Sequence, residues 1–242
     1  MNTKYSDLID QTFDFPQEEF SIEKGHLSFH GINLAELIKE HGTPLKFSYL
    51  PKISENIINT KKWFKDAFEE HNYAGKYNYC YCTKSSHFAH VLEEVLKNDT
   101  HMETSSAFDI NIVESLEAKG KLTKDNYIIC NGFKRAQYVE NITRIINNGF
   151  KNCIPIIDNY EELKLLSHGV NGKMNVGIRI ASEEEPKFEF YTSRLGIGYK
   201  NILKYYKSEI QDNEKVSLKM LHFFINTGIR DNAYYWNELT KC

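Results

Sequence analysis

From Lys76 onward the chain keeps one rhythm, and that rhythm limits its fold more than any other feature. Short apolar or period-two runs read as strands at Tyr77–Cys82, His101–Thr104, Tyr127–Cys130, Cys153–Ile157, Val176–Ile180 and Leu218–Ile225. Runs with helical spacing separate them, at Phe88–Lys97, Phe108–Lys119, Gln137–Asn147, Tyr160–Ser167 and Asn201–Ile210. Strands that alternate with helices imply parallel βα units, because a parallel neighbour can be reached only through a crossover. The predicted class is α/β, with about six such units.

What precedes the rhythm is different in kind. Phe20-Ser21-Ile22 and His26-Leu27-Ser28-Phe29 alternate like edge strands, with Gly25 and Gly31 as punctuation. Leu34, Leu37 and Ile38 mark a short helix that ends at Gly42. Pro44–Tyr49 reads as a further strand, and Ile53–Phe68 as an amphipathic helix. The sequence therefore divides into a preamble, residues 1–45, and a barrel-like portion, residues 46–242.

The balance of residues removes several function classes. With a formal charge of −3 there is no electrostatic case for nucleic acid or for an anionic membrane. No apolar stretch approaches the roughly 20 residues of a membrane-spanning helix, and the first ten residues lack the apolar core of a signal peptide. Five cysteines (Cys80, Cys82, Cys130, Cys153 and Cys242) show no zinc-type spacing, and several fall in strands, which points to reduced thiols in a cytoplasmic protein.

In a parallel barrel the chemistry collects where strands end and helices begin. Those junctions carry Lys84, then Glu103-Thr104-Ser105-Ser106, then Asn131-Gly132, Asp158-Asn159, Arg179 and Asn226-Thr227-Gly228. Brought to one mouth, a lysine, an acid, hydroxyls, an amide and an arginine suit an anionic ligand with a reactive carbonyl. Several have plainer readings. Ser106-Ala107-Phe108-Asp109 has the form of a capping box, and Asp158 is expected to cap the helix that carries Leu163 and Leu166. His222, on a buried strand, reads first as a core histidine, and Cys80 and Cys82 as packing residues. Gly196 and Gly198 are too few for a dinucleotide fingerprint.

With these residues in view, the chain resembles the fold-type-III pyridoxal-phosphate (PLP) decarboxylases, most of all the biosynthetic arginine decarboxylases. HGTPLKFSY is similar to the entry segment, YCYCTKSS to the cofactor-lysine motif, and HMETSSAFDI to the acid-and-serine segment that follows. YIICNGFKRAQYV is the most discriminating piece, because Cys-Asn-Gly followed by an aromatic and a lysine resembles arginine decarboxylases more than their ornithine or diaminopimelate relatives. NVGIRIAS, SRLGIG and MLHFFINTGI complete the series in family order. The resemblance implies a (β/α)8 TIM-type barrel of the alanine racemase-like type, here incomplete, with the preamble forming part of a second, β-rich domain. It implies decarboxylation of L-arginine to agmatine, a step toward polyamines such as spermidine. Lys84 and Glu103 take the catalytic positions. Lys84, Ser106, Asn131, Arg179, His222, Phe224, Thr227 and Gly228 take the cofactor-binding ones. It also implies a magnesium dependence without showing a ligand set, and a homodimer or higher oligomer for the intact enzyme.

Two departures from the pattern stand out. Phe224 occupies the place of a histidine that stacks on the cofactor ring in most relatives, and Thr227 that of a phosphate-binding serine. The family's later segments, including its C-terminal β domain, have no counterpart before Cys242, so the chain is expected to be the N-terminal portion of a longer enzyme or a truncated reading frame, to expose an open sheet edge, and to lack appreciable decarboxylase activity alone. Diaminopimelate or carboxynorspermidine as substrate, and a non-catalytic PLP-binding barrel, remain as alternatives.

Overall fold

The structure, a computed structural model, describes residues 19–181, 195–224 and 232–241. The chain divides into two compact units, Met1–Tyr49 and Leu50–Cys242.

In the first unit β1 (Phe20–Glu23) pairs antiparallel with β2 (His26–Phe29), which pairs in turn with β3 (Ile32–Asn33). Helix α1 (Leu34–His41) starts at once, because the Asn33 side chain accepts the amides of Ala35 and Glu36 and satisfies two otherwise orphaned donors. The predicted strand at Pro44–Tyr49 does not form. Its alternating aromatics are used in ring packing rather than in a ladder. Phe47 and Tyr49 meet the Phe29 ring edge-on at 5.6 and 5.5 Å, and Tyr49 stacks on His30 at 4.3 Å.

The second unit opens with α2 (Pro51–Glu70), whose proline at the first turn lacks only an amide that the helix would leave unpaired. Then come β4 (Cys80–Cys82), α3 (Ala89–Leu96), β5 (His101–Thr104), α4 (Ala107–Ala118), β6 (Ile128–Cys130), α5 (Ala136–Asn147), β7 (Cys153–Ile157), α6 (Glu162–Gly169) and β8 (Met174–Ala181). A short β9 (Ile197–Gly198) lies against β8. Helix α7 (Tyr199–Tyr205) runs into one π-helical turn, Tyr206–Ile210, before β10 (Val216–Phe223), and α8 spans Asn232–Lys241. The long strands form one parallel sheet in the order β10-β8-β7-β6-β5-β4.

Most predicted strands and helices are recovered within a few residues. Ile225, the predicted end of the last strand, lies outside the described residues. In this unit the first strand is the exception. Its ladder begins only at Cys80, because the Tyr77 ring is instead stacked on Phe64 of α2 at 3.9 Å. Strands covered on both faces should read as unbroken apolar runs, and Ile128–Cys130 and Cys153–Ile157 do. Their outer face packs Met102, Ile128, Cys130, Ile157 and Ile178 against Leu92, Ile110, Val113, Ile142, Ile145 and Leu166 of the helices. Each fully buried aliphatic side chain of this kind contributes about 1.5–3 kcal/mol. The inner face is thinner. Ile129, Ile154 and Ile156 cluster with Cys80, Tyr127 and Met220 and plug the middle of the sheet's concave side.

Candidate active site

Beyond that plug, toward the carboxyl ends of the strands, the inner face turns polar. Lys84 sits in the turn that follows β4 and is exposed. The residue before it is anchored. Thr83 donates its amide and its hydroxyl to the Glu103 carbonyl (3.0 and 3.2 Å), and its hydroxyl also lies 3.0 Å from the Asp109 carboxylate. Asp109 further accepts the Ser105 amide at 2.9 Å, and so ties the ends of β4 and β5 to the first turn of α4. Ser106 is the N-cap of α4, its hydroxyl accepting the Asp109 amide at 3.4 Å, while the Asp109 side chain turns to Thr83 and Ser105. The capping motif in the sequence thus does two jobs, a cap and an anchor for the turn that presents Lys84.

A chain of polar contacts runs across the strand ends. The Cys82 thiol lies 3.6 Å from Glu103 Oε1, the same oxygen accepts Asn131 Nδ2 at 3.0 Å, and Asn131 Oδ1 accepts Arg179 Nη1 at 3.4 Å. Arg179 Nε is 4.0 Å from Asp158 Oδ1, and the guanidinium carbon is 5.6 Å from the centroid of the Phe224 ring, within reach of a cation–π contact. His222 is paired in register with Arg179 on the neighbouring strand. The structure thus gathers Glu103, Asn131, Arg179, His222 and Phe224 along neighbouring strand ends. Thr227 and Gly228 lie outside the described residues.

The electrostatics follow from burial. Desolvation pushes the Cys82 thiol up, with Glu103 adding to the shift, and it pushes the Asp158 carboxyl up against the opposing pull of Lys134, Arg179 and Lys84. It lowers the Arg179 guanidinium, which Asp158 and Glu103 counteract. His222 is driven down to about 4, chiefly by burial, so its ring is neutral at neutral pH. Among the described residues, His222 Nδ1 and both Asp158 oxygens are buried without a hydrogen-bond partner.

The expected capping role of Asp158 is overturned. Asn159 Oδ1 accepts the amides of Glu161 and Glu162 and serves the start of α6, which leaves the Asp158 side chain in the mouth. A second residue stood in plain view without an assigned role. Lys134, in the Asn-Gly-Phe-Lys segment, is buried and bonds the carbonyls of Gly132 and Ile156 and the Glu162 carboxylate at 3.2 Å. Glu162 also accepts the amides of Lys134 and Asp158 at 3.1 and 2.9 Å. The only sequence signal for this clamp is a lysine and a glutamate each just after a strand end. Among the described residues no group of three or more His, Cys, Asp or Glu is arranged to hold a metal ion.

Residues 54–242 match the family described as pyridoxal-dependent decarboxylase, pyridoxal binding domain. The chain is 22% identical over 236 residues to the biosynthetic arginine decarboxylase of Vibrio vulnificus (strain YJ016), with 87% of the chain and 37% of that protein covered. It is 25% identical over 215 residues to the biosynthetic arginine decarboxylase of Bacteroides thetaiotaomicron, covering 82% of the chain and 33% of that protein. The chain thus spans about a third of the length of these curated relatives. Among solved structures, diaminopimelate decarboxylase from M. jannaschii in co-complex with L-lysine superposes with a TM-score of 0.76 at 20% identity, over 93% of this chain and 51% of that one. The parallel sheet and its flanking helices have the barrel fold of that decarboxylase, and the chain belongs to the pyridoxal-dependent decarboxylase family.

Proposed function

We propose that the chain carries the cofactor-binding part of a PLP-dependent amino-acid decarboxylase that converts L-arginine to agmatine, toward polyamines including spermidine. The observation that carries this reading is the polar chain Glu103–Asn131–Arg179 across neighbouring strand ends, with Lys84 presented at the rim. The fit to the cofactor is supported by the buried, partnerless atoms of His222 and Asp158, which a bound polar ring or its waters would meet. When bound, PLP supplies an electron sink for the pair left behind as carbon dioxide departs.

The chain's own residues hold and orient. Lys84 would hold the cofactor through its side-chain amine. Glu103, held by Asn131, would lie near that lysine and bias its protonation. Arg179 would direct the ring and its phosphate, and Ser106, Thr227 and Gly228 would help bind the phosphate. His222, kept neutral, and Phe224, whose face can stack on a pyridine, would border the ring. Arginine as substrate rests on the Cys130–Lys134 segment and on the names of the curated relatives. Diaminopimelate is the second reading, favoured by the fold neighbour. We further propose that residues 1–45 belong to a second, β-rich domain, that the intact enzyme is a homodimer or larger, and that it acts in the cytoplasm, where its free thiols stay reduced. No helix among the described residues is long and apolar enough to cross a membrane.

The test is borohydride reduction of the chain with PLP, followed by peptide mapping. Cofactor should be found on Lys84, and L-arginine should protect Lys84 from labelling better than diaminopimelate at equal concentration. Label scattered over surface lysines would overturn the cofactor site. Stronger protection by diaminopimelate would replace the substrate.

A further inference from the structure

A cleft of about 240 Å³ is formed by Tyr160 and the start of α6 on one side and by α7 with its π-helical turn on the other, and it shares no residue with the mouth. Every side chain that lines it carries a hydrogen-bonding group, and none is aliphatic. In the π-helical turn the Gln211 amide reaches back to the Tyr206 carbonyl at 2.8 Å, which widens the helix by one residue. Across from it the Tyr160 ring meets the Tyr205 ring edge-on at 5.3 Å.

Tyr205 is the informative wall. It is 4% exposed, and its hydroxyl is buried with no hydrogen-bond partner among the described residues. The nearby Ser208 hydroxyl is not that partner, because it donates to the Tyr205 carbonyl at 3.3 Å. Burial, with Glu209 next in effect, raises the proton affinity of the phenol, so it stays a donor. A buried hydroxyl without a partner is costly and rare in native structures. A donor left so at a cleft calls for an acceptor that enters from outside.

The lining charges say what carries that acceptor. Lys204 and Glu209 both line the cleft, yet neither forms an ion pair among the described residues. Lys164, also in the lining, only approaches Glu161 at 3.8 Å. Two ammonium groups and a phenol favour an oxyanion. The one lining carboxylate disfavours a second negative charge and can seat an ammonium. The cleft is smaller than the roughly 300–1,000 Å³ of drug-sized ligand sites, which keeps the occupant small.

We propose that this cleft binds a small free α-amino acid, whose carboxylate takes the Tyr205 hydroxyl and the Lys204 ammonium and whose ammonium faces Glu209. The Tyr205 hydroxyl is covered, so the half-exposed Tyr160 ring turns aside as the ligand enters. The site is separate from the cofactor site and stands independently of the function proposed above.

The experiment is saturation-transfer difference NMR on the full 242-residue chain without PLP. The probe is L-alanine, with propionate and ethylamine as its two halves. L-alanine should bind saturably, and each half should bind at least about tenfold more weakly. Tyr205→Phe removes a single oxygen and should weaken L-alanine roughly tenfold, the scale of a hydrogen bond to a charged group. Its melting temperature should stay or rise, because an unpaired buried oxygen is gone. Glu209→Gln should bring L-alanine down to the affinity of propionate. A signal that does not saturate, or one equal in wild type and Tyr205→Phe, overturns the site. So does propionate binding as tightly as L-alanine, or a Tyr205→Phe protein that melts lower. Should Tyr205→Phe not fold, Glu209→Gln and Lys204→Met, both at exposed positions, are read by the same criteria. None of these readings needs the cofactor, so their failure leaves Lys84 labelling as the separate test of the functional reading.

Discussion

His222 shows how one residue's surroundings set a measurable response. Burial, with Arg179, Lys134 and Lys84 acting in the same direction and Glu103 opposing, lowers its proton affinity to about 4. In the unfolded chain a histidine titrates near 6.5. Between those values the unfolded state binds more protons than the folded one, so stability is lost as pH falls through the window and recovered above it. Asp158 works against this trend, because a carboxyl with raised proton affinity favours the folded state on acidification. Comparing wild type with His222→Gln removes that shared contribution. The melting temperature of wild type should drop more steeply between pH 6.5 and 4 than that of the variant, and parallel curves would show that the ring is not desolvated. At this scale the sequence was partly legible. Lys84, Glu103, Asn131 and Arg179 announce themselves by their place after apolar runs. Asp158 and Asn159 are adjacent, both are good cap residues, and only geometry tells which one bonds the helix amides and which faces the mouth.

Among the elements, the Lys134–Glu162 clamp joins three of them, the turn after β6, the end of β7 and the start of α6. Breaking a buried ion pair from one side leaves an uncompensated charge, which costs about 3–5 kcal/mol. Lys134→Met should therefore destabilise the chain by that amount in denaturant titration. Adding Glu162→Gln should recover part of it, since the stranded charge goes while an oxygen remains to accept an amide. Equal stability of the single and double variants would show that the loss is one of packing. No periodic pattern could have revealed this pair. The two residues are 28 positions apart, and each alone looks like an ordinary surface charge near a helix start. The strand Cys153–Ile157 is read correctly because both faces of the sheet impose an apolar sequence there. The Tyr77–Cys82 run misled because aromatics that alternate along a strand also suit a side-by-side stack on a helix, and Tyr77 takes the second option.

At the scale of the whole molecule, β4 and β10 each pair on one side only among the described residues, and Leu221 on β10 is 39% exposed. Unpaired edges invite strand addition. The purified chain should self-associate in light scattering, and Leu221→Lys should reduce that association; a monodisperse wild type would show the edges to be covered. Amide exchange should rank the sheet from its centre outward, with β6 and β7 slowest. The apolar plug of Ile129, Ile154, Ile156 and Met220 carries a consequence of its own. It gives the mouth an apolar floor. A flat ligand resting on such a floor must send anything long outward, past the strand ends and into the loops. Changes on the floor and its polar rim should then alter whether a ligand is held at all, whereas the choice between a short and a long ligand should fall to the loops around that floor. Redesign of substrate length would thus begin in the loops and leave the strand layer untouched.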